Sequence, residues 1–148
     1  IFLKIAPDLS LKQIDDIAEI ALKMDIDAIV ATNTTTDRQG IKSKLKNEKG
    51  GLSGKPLFPK STWVLAHLSE RLNNKVELIG VGGISSAIDA YQKLLAGATV
   101  VQLYTGLVYN GLGLVSEINK GLNTILTKHG VNHVSQIVGK ERRDYLKI

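Results

Sequence analysis

The sequence contains no cysteine, and only 5% of its 148 residues are aromatic. The lack of cysteine excludes disulfide bonds and thiolate metal sites. The few aromatic residues do not alternate with basic ones along any stretch, which argues against a nucleic-acid-binding surface. No apolar run approaches the roughly 20 residues that a membrane-spanning helix needs. What remains, with 43% hydrophobic and 22% charged residues, is the composition of a globular domain.

Positive charge is in excess, giving a net charge of +5, but most of it is scattered along the chain. A local excess of lysine falls within residues 42–49, which have no helical or strand period. We interpret it as a solvated loop, with contact to a phosphate ligand or an anionic membrane as lesser alternatives.

The three histidines, His67, His129 and His133, are spread over one helical stretch and the end of the chain. Their spacing fits no common metal-ligand pattern, and we interpret them as surface or structural residues. The sequence therefore predicts no metal site.

Apolar runs and helical patterns alternate four times along the chain. Ser10 and Gln13 form a capping-box pattern ahead of the first helix. The predicted strands are continuously apolar, as expected of parallel strands buried on both faces. The predicted strands are residues 1–5, 27–31, 76–81 and 98–103, and the predicted helices are residues 10–24, 61–72, 85–95 and 114–126, with a short helix at 134–138.

A pair of glycines, Gly82 and Gly83, follows the third predicted strand and leads into a helix; we call it the diglycine turn. Glycine lets the backbone approach a ligand closely, and Ser85 or Ser86 is a candidate N-cap for the helix. Backbone N–H groups at such a turn commonly bind phosphate. The alternative is an ordinary strand-to-helix turn with no ligand.

Residues 32–60 interrupt the alternation with a long aperiodic stretch. A loop of this length in a compact domain is usually functional or disordered. The inner part, residues 50–56, is rich in glycine and proline, which indicates a defined backbone conformation.

Four βα units are half of a (β/α)8 barrel, which needs about 250 residues. Barrel phosphate sites are often made by the loops after strands 7 and 8, which would correspond to the diglycine turn and to the hydroxyls of Tyr104 and Thr105. The chain starts directly on a strand without Met. We therefore predict an α/β fold in which residues 1–148 form strands 5–8 of a TIM barrel, with the N-terminal half outside this chain. A small doubly wound sheet is the alternative.

Two groups of polar residues are candidates for chemistry. Lys4 lies inside an apolar strand, where a buried ammonium needs an anion or good acceptors unless it reaches solvent. Thr32, Asn33 and Thr34 follow the second strand, at the end where barrel enzymes keep their sites. Amide and hydroxyl groups suit a planar ligand rich in heteroatoms, although a turn with side-chain capping would use the same residues.

Five motifs occur in an order that resembles the C-terminal half of the class 2, membrane-associated dihydroorotate dehydrogenases. The resemblance covers nearly the whole chain. The motifs are Leu3-Lys4-Ile5-Ala6-Pro7-Asp8-Leu9, Thr32-Asn33-Thr34-Thr35, Gly50-Gly51-Leu52-Ser53-Gly54-Lys55-Pro56, Gly80-Val81-Gly82-Gly83-Ile84 and Gln102-Leu103-Tyr104-Thr105.

The resemblance implies an FMN-containing barrel that oxidises dihydroorotate to orotate, passes the electrons to a quinone and serves de novo pyrimidine (UMP) biosynthesis. It also implies a role for each motif. Lys4 and Thr32 would contact the flavin, and Gly54 would line its site. Asn33 and Thr34 would hydrogen-bond the pyrimidine. The FMN phosphate would be held by a set of four residues: Gly82, Gly83, Tyr104 and Thr105. Tyr104 would also lie between flavin and quinone.

The resemblance implies that no catalytic residue lies in this chain, since the family's general base is a serine in the other half of the barrel. The chain departs from the family at Asn110-Gly111-Leu112-Gly113, where a Gly-Pro-Pro is expected, which affects the quinone tunnel and its candidate walls Val108 and Leu112. The implied location is peripheral on the bacterial cytoplasmic membrane, or on the mitochondrial inner membrane as the alternative.

Two other functions remain open from the residues alone. One is a phosphate-binding barrel enzyme without flavin, such as an isomerase or synthase. The other is a non-catalytic half barrel that only binds a phosphate ligand or completes another chain.

Overall fold

The computed structural model describes residues 1–147. It contains one parallel sheet with helices packed against one face. The strands are β1 (Phe2–Ile5), β2 (Ala28–Ala31), β3 (Glu77–Val81) and β4 (Val100–Gln102), and the helices are α1 (Leu11–Lys23), α2 (Phe58–Leu72), α3 (Ala87–Ala96), α4 (Thr105–Asn110) and α5 (Leu114–Lys128). Short 3-10 helices occupy Lys55–Leu57, Val134–Gln136 and Arg142–Tyr145.

The four strands lie side by side in the order in which they occur along the chain. Every neighbouring pair is parallel, with Lys4 opposite Val30 and Val30 opposite Ile79. A doubly wound sheet reverses its strand order at a switch point, whereas a barrel adds each strand next to the last. The observed order therefore excludes the doubly wound alternative and agrees with consecutive strands of a barrel.

The two faces of the sheet bury different side chains. The outer face carries Ile5, Ile29 and Leu78, which join α1 and α2 in the main hydrophobic core. The inner face carries Val30 and Ile79 in a smaller cluster. Because side chains alternate along each strand, Lys4 lies on the inner face beside Val30.

Local sequence signals account for the start of α1 and for both ends of α3. Ser10 and Gln13 form the predicted capping box of α1, with the Gln13 N–H donating to Ser10 Oγ at 3.3 Å and the Ser10 N–H donating to Gln13 Oε1 at 2.9 Å. Ser86 caps α3, and Gly97 ends it at φ +125°. Helix α2 starts at Phe58, three residues before its predicted start.

Two further differences concern the end of the chain. Helix α4 was not predicted, because Thr105–Asn110 is too short to show a helical period. Residues 139–146 run across the outer layer, where the Arg142 guanidinium donates to the carbonyl of Ser69 at 2.8 Å and the Trp63 indole donates to the carbonyl of Leu146 at 3.2 Å.

No helix within residues 1–147 is long and apolar enough to cross a membrane.

Candidate active site

A cavity of about 340 Å³ opens at the carboxyl ends of the four strands. We call it the strand-end cavity. All nine residues that were predicted to bind cofactor or substrate line it: Lys4, Thr32, Asn33, Thr34, Gly54, Gly82, Gly83, Tyr104 and Thr105. The sequence places them up to 101 positions apart, and the parallel sheet brings them together because the carboxyl ends of its strands share one edge.

The diglycine turn follows β3 and has a left-handed backbone, with φ of +112° at Gly82 and +79° at Gly83. A Cβ atom at Gly83 would lie 2.4 Å from Cβ and 2.8 Å from N of Phe58, at the start of α2. The turn therefore requires glycine for its backbone angles and for the close approach of α2. Among residues 1–147, no acceptor pairs with the backbone N–H of Gly83 or Ile84, which leaves these donors available to an anion.

Residues on two neighbouring loops complete this end of the cavity. The Thr105 hydroxyl donates to Ser53 Oγ at 2.9 Å, joining the start of α4 to the long loop. Gly54 has φ of +77°, and a Cβ there would lie 3.1 Å from the methyl carbon of Thr105. Tyr104 is 81% exposed in spite of its size. The hydroxyls of Ser53 and Thr105 thus lie at the same end of the cavity as the free N–H groups of the diglycine turn.

The other end of the cavity is formed by the ends of β1 and β2. Thr32 is buried and donates its hydroxyl proton to the carbonyl of Asn33 at 2.9 Å. The Asn33 side-chain oxygen accepts the Thr34 N–H at 3.0 Å. This bond fixes the orientation of the amide and leaves its NH₂ group free to donate to a ligand.

Lys4 lines the same cavity and is exposed, so of the two alternatives left open by the strand pattern its ammonium reaches solvent. β1 is an edge strand of the sheet, and the cavity on its inner face is open to solvent at this position. The positive charge of Lys4 nevertheless lies beside the polar groups that follow β2.

Apolar side chains form the floor between the two polar ends. They come from the end of β3, from the segments that follow β3 and β4, and from the 3-10 helix that precedes α2: Leu57, Val81, Ile84 and Leu103. Ligand sites commonly combine an apolar lining with a few polar groups that fix orientation. This cavity has that composition, with free amides at one end and amide, hydroxyl and ammonium groups at the other.

The long loop is held in place by a network that the sequence reading missed. The Asp8 carboxylate accepts hydrogen bonds from Lys60 Nζ at 2.7 Å, from the Thr36 N–H at 2.8 Å and from the Thr35 hydroxyl. Burial acts to raise the pKa of Asp8, but these donors outweigh it and hold the pKa well below its usual range. Thr35 also pairs with Leu52 through two backbone hydrogen bonds of 3.1 and 2.7 Å, which closes the loop at its base.

The outer part of the loop, residues 42–49, is exposed throughout, in agreement with its interpretation as a solvated segment. None of the three histidines lines the cavity. His67 is buried against the Trp63 ring, with ring centroids 4.4 Å apart. His129 stacks on Tyr91. In the part of the chain that the structure describes, no three His, Asp or Glu side chains lie close enough to hold a metal ion.

The model of the dihydroorotate dehydrogenase family matches residues 1–126. The chain belongs to the dihydroorotate dehydrogenase family. It is 53% identical over 146 residues to a dihydroorotate dehydrogenase (quinone) of Cereibacter sphaeroides, covering 99% of this chain and 41% of that protein. It is 48% identical to the protein of the same name from Brucella ovis, covering 98% of this chain and 40% of that one. The resemblance seen in the five motifs is confirmed.

Solved structures of this dihydroorotate dehydrogenase family give the same result for the fold. The chain superposes on the ligand-free enzyme of Eimeria tenella with a TM-score of 0.92 and 38% identity, covering 96% of this chain and 40% of that one. The Eimeria tenella enzyme in complex with ferulenol matches equally well. The prediction of a half barrel is confirmed. The chain spans about two fifths of the length of the relatives it matches.

Proposed function

We propose that residues 1–148 form the C-terminal, FMN-binding half of a quinone-dependent dihydroorotate dehydrogenase of pyrimidine biosynthesis. The observation that carries the proposal is that nine residues from five separate motifs line one cavity at the strand ends. The names of the bacterial relatives support the reaction.

The residues of the strand-end cavity fit FMN. The free amides of Gly83 and Ile84 suit its phosphate, and the hydrogen-bonded hydroxyls of Thr105 and Ser53 lie at the same end of the cavity. The apolar floor suits a planar ring, which Thr32 and Gly54 would flank. When bound, FMN supplies the acceptor for a hydride from the dihydropyrimidine, while the protein supplies binding and electrostatics.

Lys4 provides a fixed positive charge at one end of the cavity. A charge that is already in place stabilises negative charge as it develops in the reaction, without having to reorient. Its place on the inner face of β1, between the apolar floor and the loop after β2, supports this role.

Asn33 and Thr34 would bind dihydroorotate and orotate. The Asn33 NH₂ group is free to donate to a carbonyl or carboxylate oxygen of the pyrimidine, because the amide oxygen is already held by the Thr34 N–H. The Thr34 hydroxyl adds a second donor at the same end. No side chain of this half is proposed as the general base, which would be a serine of the N-terminal half.

The quinone would approach on the side of Tyr104. This ring is 81% exposed at the mouth of the cavity, and the apolar side chains of Val108 and Leu112 lie exposed on the segment that follows. A quinone is a lipid-phase acceptor, so we propose a peripheral location on the bacterial cytoplasmic membrane, with the mitochondrial inner membrane as the alternative. Neither a metal ion nor nucleic acid is part of the proposed function.

The proposal is tested on the complete purified protein by flavin absorbance and by dihydroorotate-dependent quinone reduction. We expect a yellow protein with stoichiometric FMN. Gly83→Ala should lose FMN and activity, because its Cβ would clash with the start of α2 at a positive φ.

Gly130→Ala is the matched control, since Gly130 has φ of +64° but open space around its Cβ. This variant should keep FMN and activity. A colourless wild-type protein that still binds inorganic phosphate would favour a barrel enzyme without flavin. A flavin-free protein with no turnover would favour a non-catalytic half barrel.

A further inference from the structure

Lys93 is a lysine of α3 that is fully buried. Its ammonium donates to Ser61 Oγ at 2.7 Å and lies 4.8 Å from the centroid of the Phe58 ring. An ammonium has three N–H donors, and within residues 1–147 only Ser61 accepts from it. No carboxylate in that part of the chain forms an ion pair with it. The residue is thus a buried amine that no carboxylate of residues 1–147 contacts directly.

The carboxylate of Asp89, four residues earlier on the same helix, acts on Lys93 and favours its charged form. This carboxylate is engaged by Ser85, whose N–H and hydroxyl donate to it at 2.9 and 3.0 Å. Burial lowers the pKa of Lys93 to about 7, and Asp89 opposes this only in part. At neutral pH a lysine at such a position keeps its charge only if an anion stabilises the ammonium form.

The contacts of Lys93 lead directly to the diglycine turn. Ser61 Oγ lies 3.2 Å from the carbonyl oxygen of Gly82 and 3.1 Å from that of Phe58, so its proton bonds to one of the two. A Cβ at Gly82 would lie 2.8 Å from the same Ser61 Oγ. The ammonium is therefore joined to the turn through one hydroxyl. Lys93 itself does not line the strand-end cavity.

We propose that Lys93 is a positioning residue for the cofactor phosphate. Its ammonium holds the diglycine turn through the Ser61 hydroxyl, on the side of the turn that faces away from the strand-end cavity. The phosphate, bound on the cavity side of the turn, balances the charge of this ammonium. This inference rests on the proposed function, because it concerns the same cofactor site. The N–H groups of Gly83 and Ile84 make the direct contacts, and Lys93 adds positive potential behind them. A buried charge acts more strongly than an exposed one, since solvent screens it less.

The test compares FMN with riboflavin, which has the same ring and no phosphate. Apoprotein is prepared from the complete protein, and both dissociation constants are measured by flavin fluorescence. Lys93→Met keeps the length of the side chain and removes its charge. We expect FMN affinity to fall by at least about tenfold, the scale of one charged hydrogen bond, while riboflavin affinity stays within about twofold. Leu94→Met, on the same helix and also buried, is the matched control and should change neither affinity.

The outcomes separate the inference from the proposed function. Wild-type apoprotein that does not bind FMN more tightly than riboflavin contradicts both. A wild-type preference for FMN that persists in Lys93→Met overturns the role of Lys93 alone. Equal weakening of both ligands also overturns it, because that result describes a general packing role. If Lys93→Met does not fold, Ser61→Ala is tested in its place. The proposal requires that Ser61→Ala weakens binding of FMN but not of riboflavin. An unchanged ratio of the FMN and riboflavin dissociation constants in Ser61→Ala refutes the proposal.

Discussion

At the scale of single residues, Lys4 on β1 and Lys93 on α3 differ in burial, the first being exposed and the second buried. For Lys4, which lies within an apolar strand, the sequence left open whether the ammonium is buried or reaches solvent, and the side chain is exposed on the edge strand β1. Nothing in the sequence indicated that Lys93 is buried, since a lysine near the end of a helix is usually solvated, yet its side chain is fully buried. Residue type and periodicity do not show which strand lies at the edge of a sheet or which helix face another element covers, so the sequence could not predict either environment.

Lys4→Ala should slow flavin reduction by dihydroorotate by about 100-fold, the usual cost of removing a group that stabilises developing charge. The physical reason is the loss of the positive charge on the inner face of β1. Rapid-mixing absorbance under anaerobic conditions measures the rate. Lys12→Ala, an exposed lysine of α1, is the control. An unchanged reduction rate in Lys4→Ala, with FMN content equal to wild type, would contradict the role.

At the scale of elements, the long loop after β2 depends on residues far from it in sequence. Asp8 follows β1, while Thr35 and Thr36 follow β2 and Lys60 lies in the first turn of α2. One carboxylate thus joins the connection after β1, the loop after β2 and the first turn of α2. The glycines and prolines predicted a defined backbone for residues 50–56, but the donors that hold this backbone could only be identified in three dimensions.

Asp8→Asn should lower the free energy of unfolding by about 1–2 kcal/mol at pH 7, allowing for partial solvent screening of the Lys60 pair. The folded-state pKa of Asp8 is depressed, so its contribution is present above the unfolded pKa of about 4 and is lost as pH falls below that value. Urea unfolding at pH 7 and at pH 3 measures this.

The difference in the free energy of unfolding between wild type and Asp8→Asn should therefore be smaller at pH 3 than at pH 7. Asp16→Asn, at an exposed position of α1, should match wild type at pH 7. A gap that is the same at both pH values would show that the Asp8 carboxylate does not contribute through its charge.

At the scale of the whole molecule, the sheet has an outer face covered by helices and an inner face that is only partly covered. Phe2 on β1 and Val100 on β4 are 67% and 54% exposed, and both lie on the edge strands. In a closed barrel, edge strands pair with further strands and inner side chains are packed. The proposed N-terminal half would cover both residues and complete the strand-end cavity.

FMN removal should lower the thermal midpoint of the complete protein, because a ligand that binds only the folded state stabilises it. At a hundredfold excess over the dissociation constant this amounts to about 2.7 kcal/mol, or a shift of roughly 4 °C in a protein of this family's length. Thermal unfolding of apoprotein with and without added FMN measures the shift. Gly83→Ala apoprotein should not respond to FMN, and a wild-type midpoint that is independent of FMN would contradict cofactor binding.

The sequence by itself determined the alternation of strands and helices, the capping box, the family and the nine residues of the candidate site. These depend on local chemistry and on short motifs, which are readable one segment at a time. The tertiary structure decided the strand order, the exposure of Lys4, the network around Asp8 and the burial of Lys93 beneath the diglycine turn. Each of these depends on which distant segments pack together, and helical or strand periodicity carries no information about that choice.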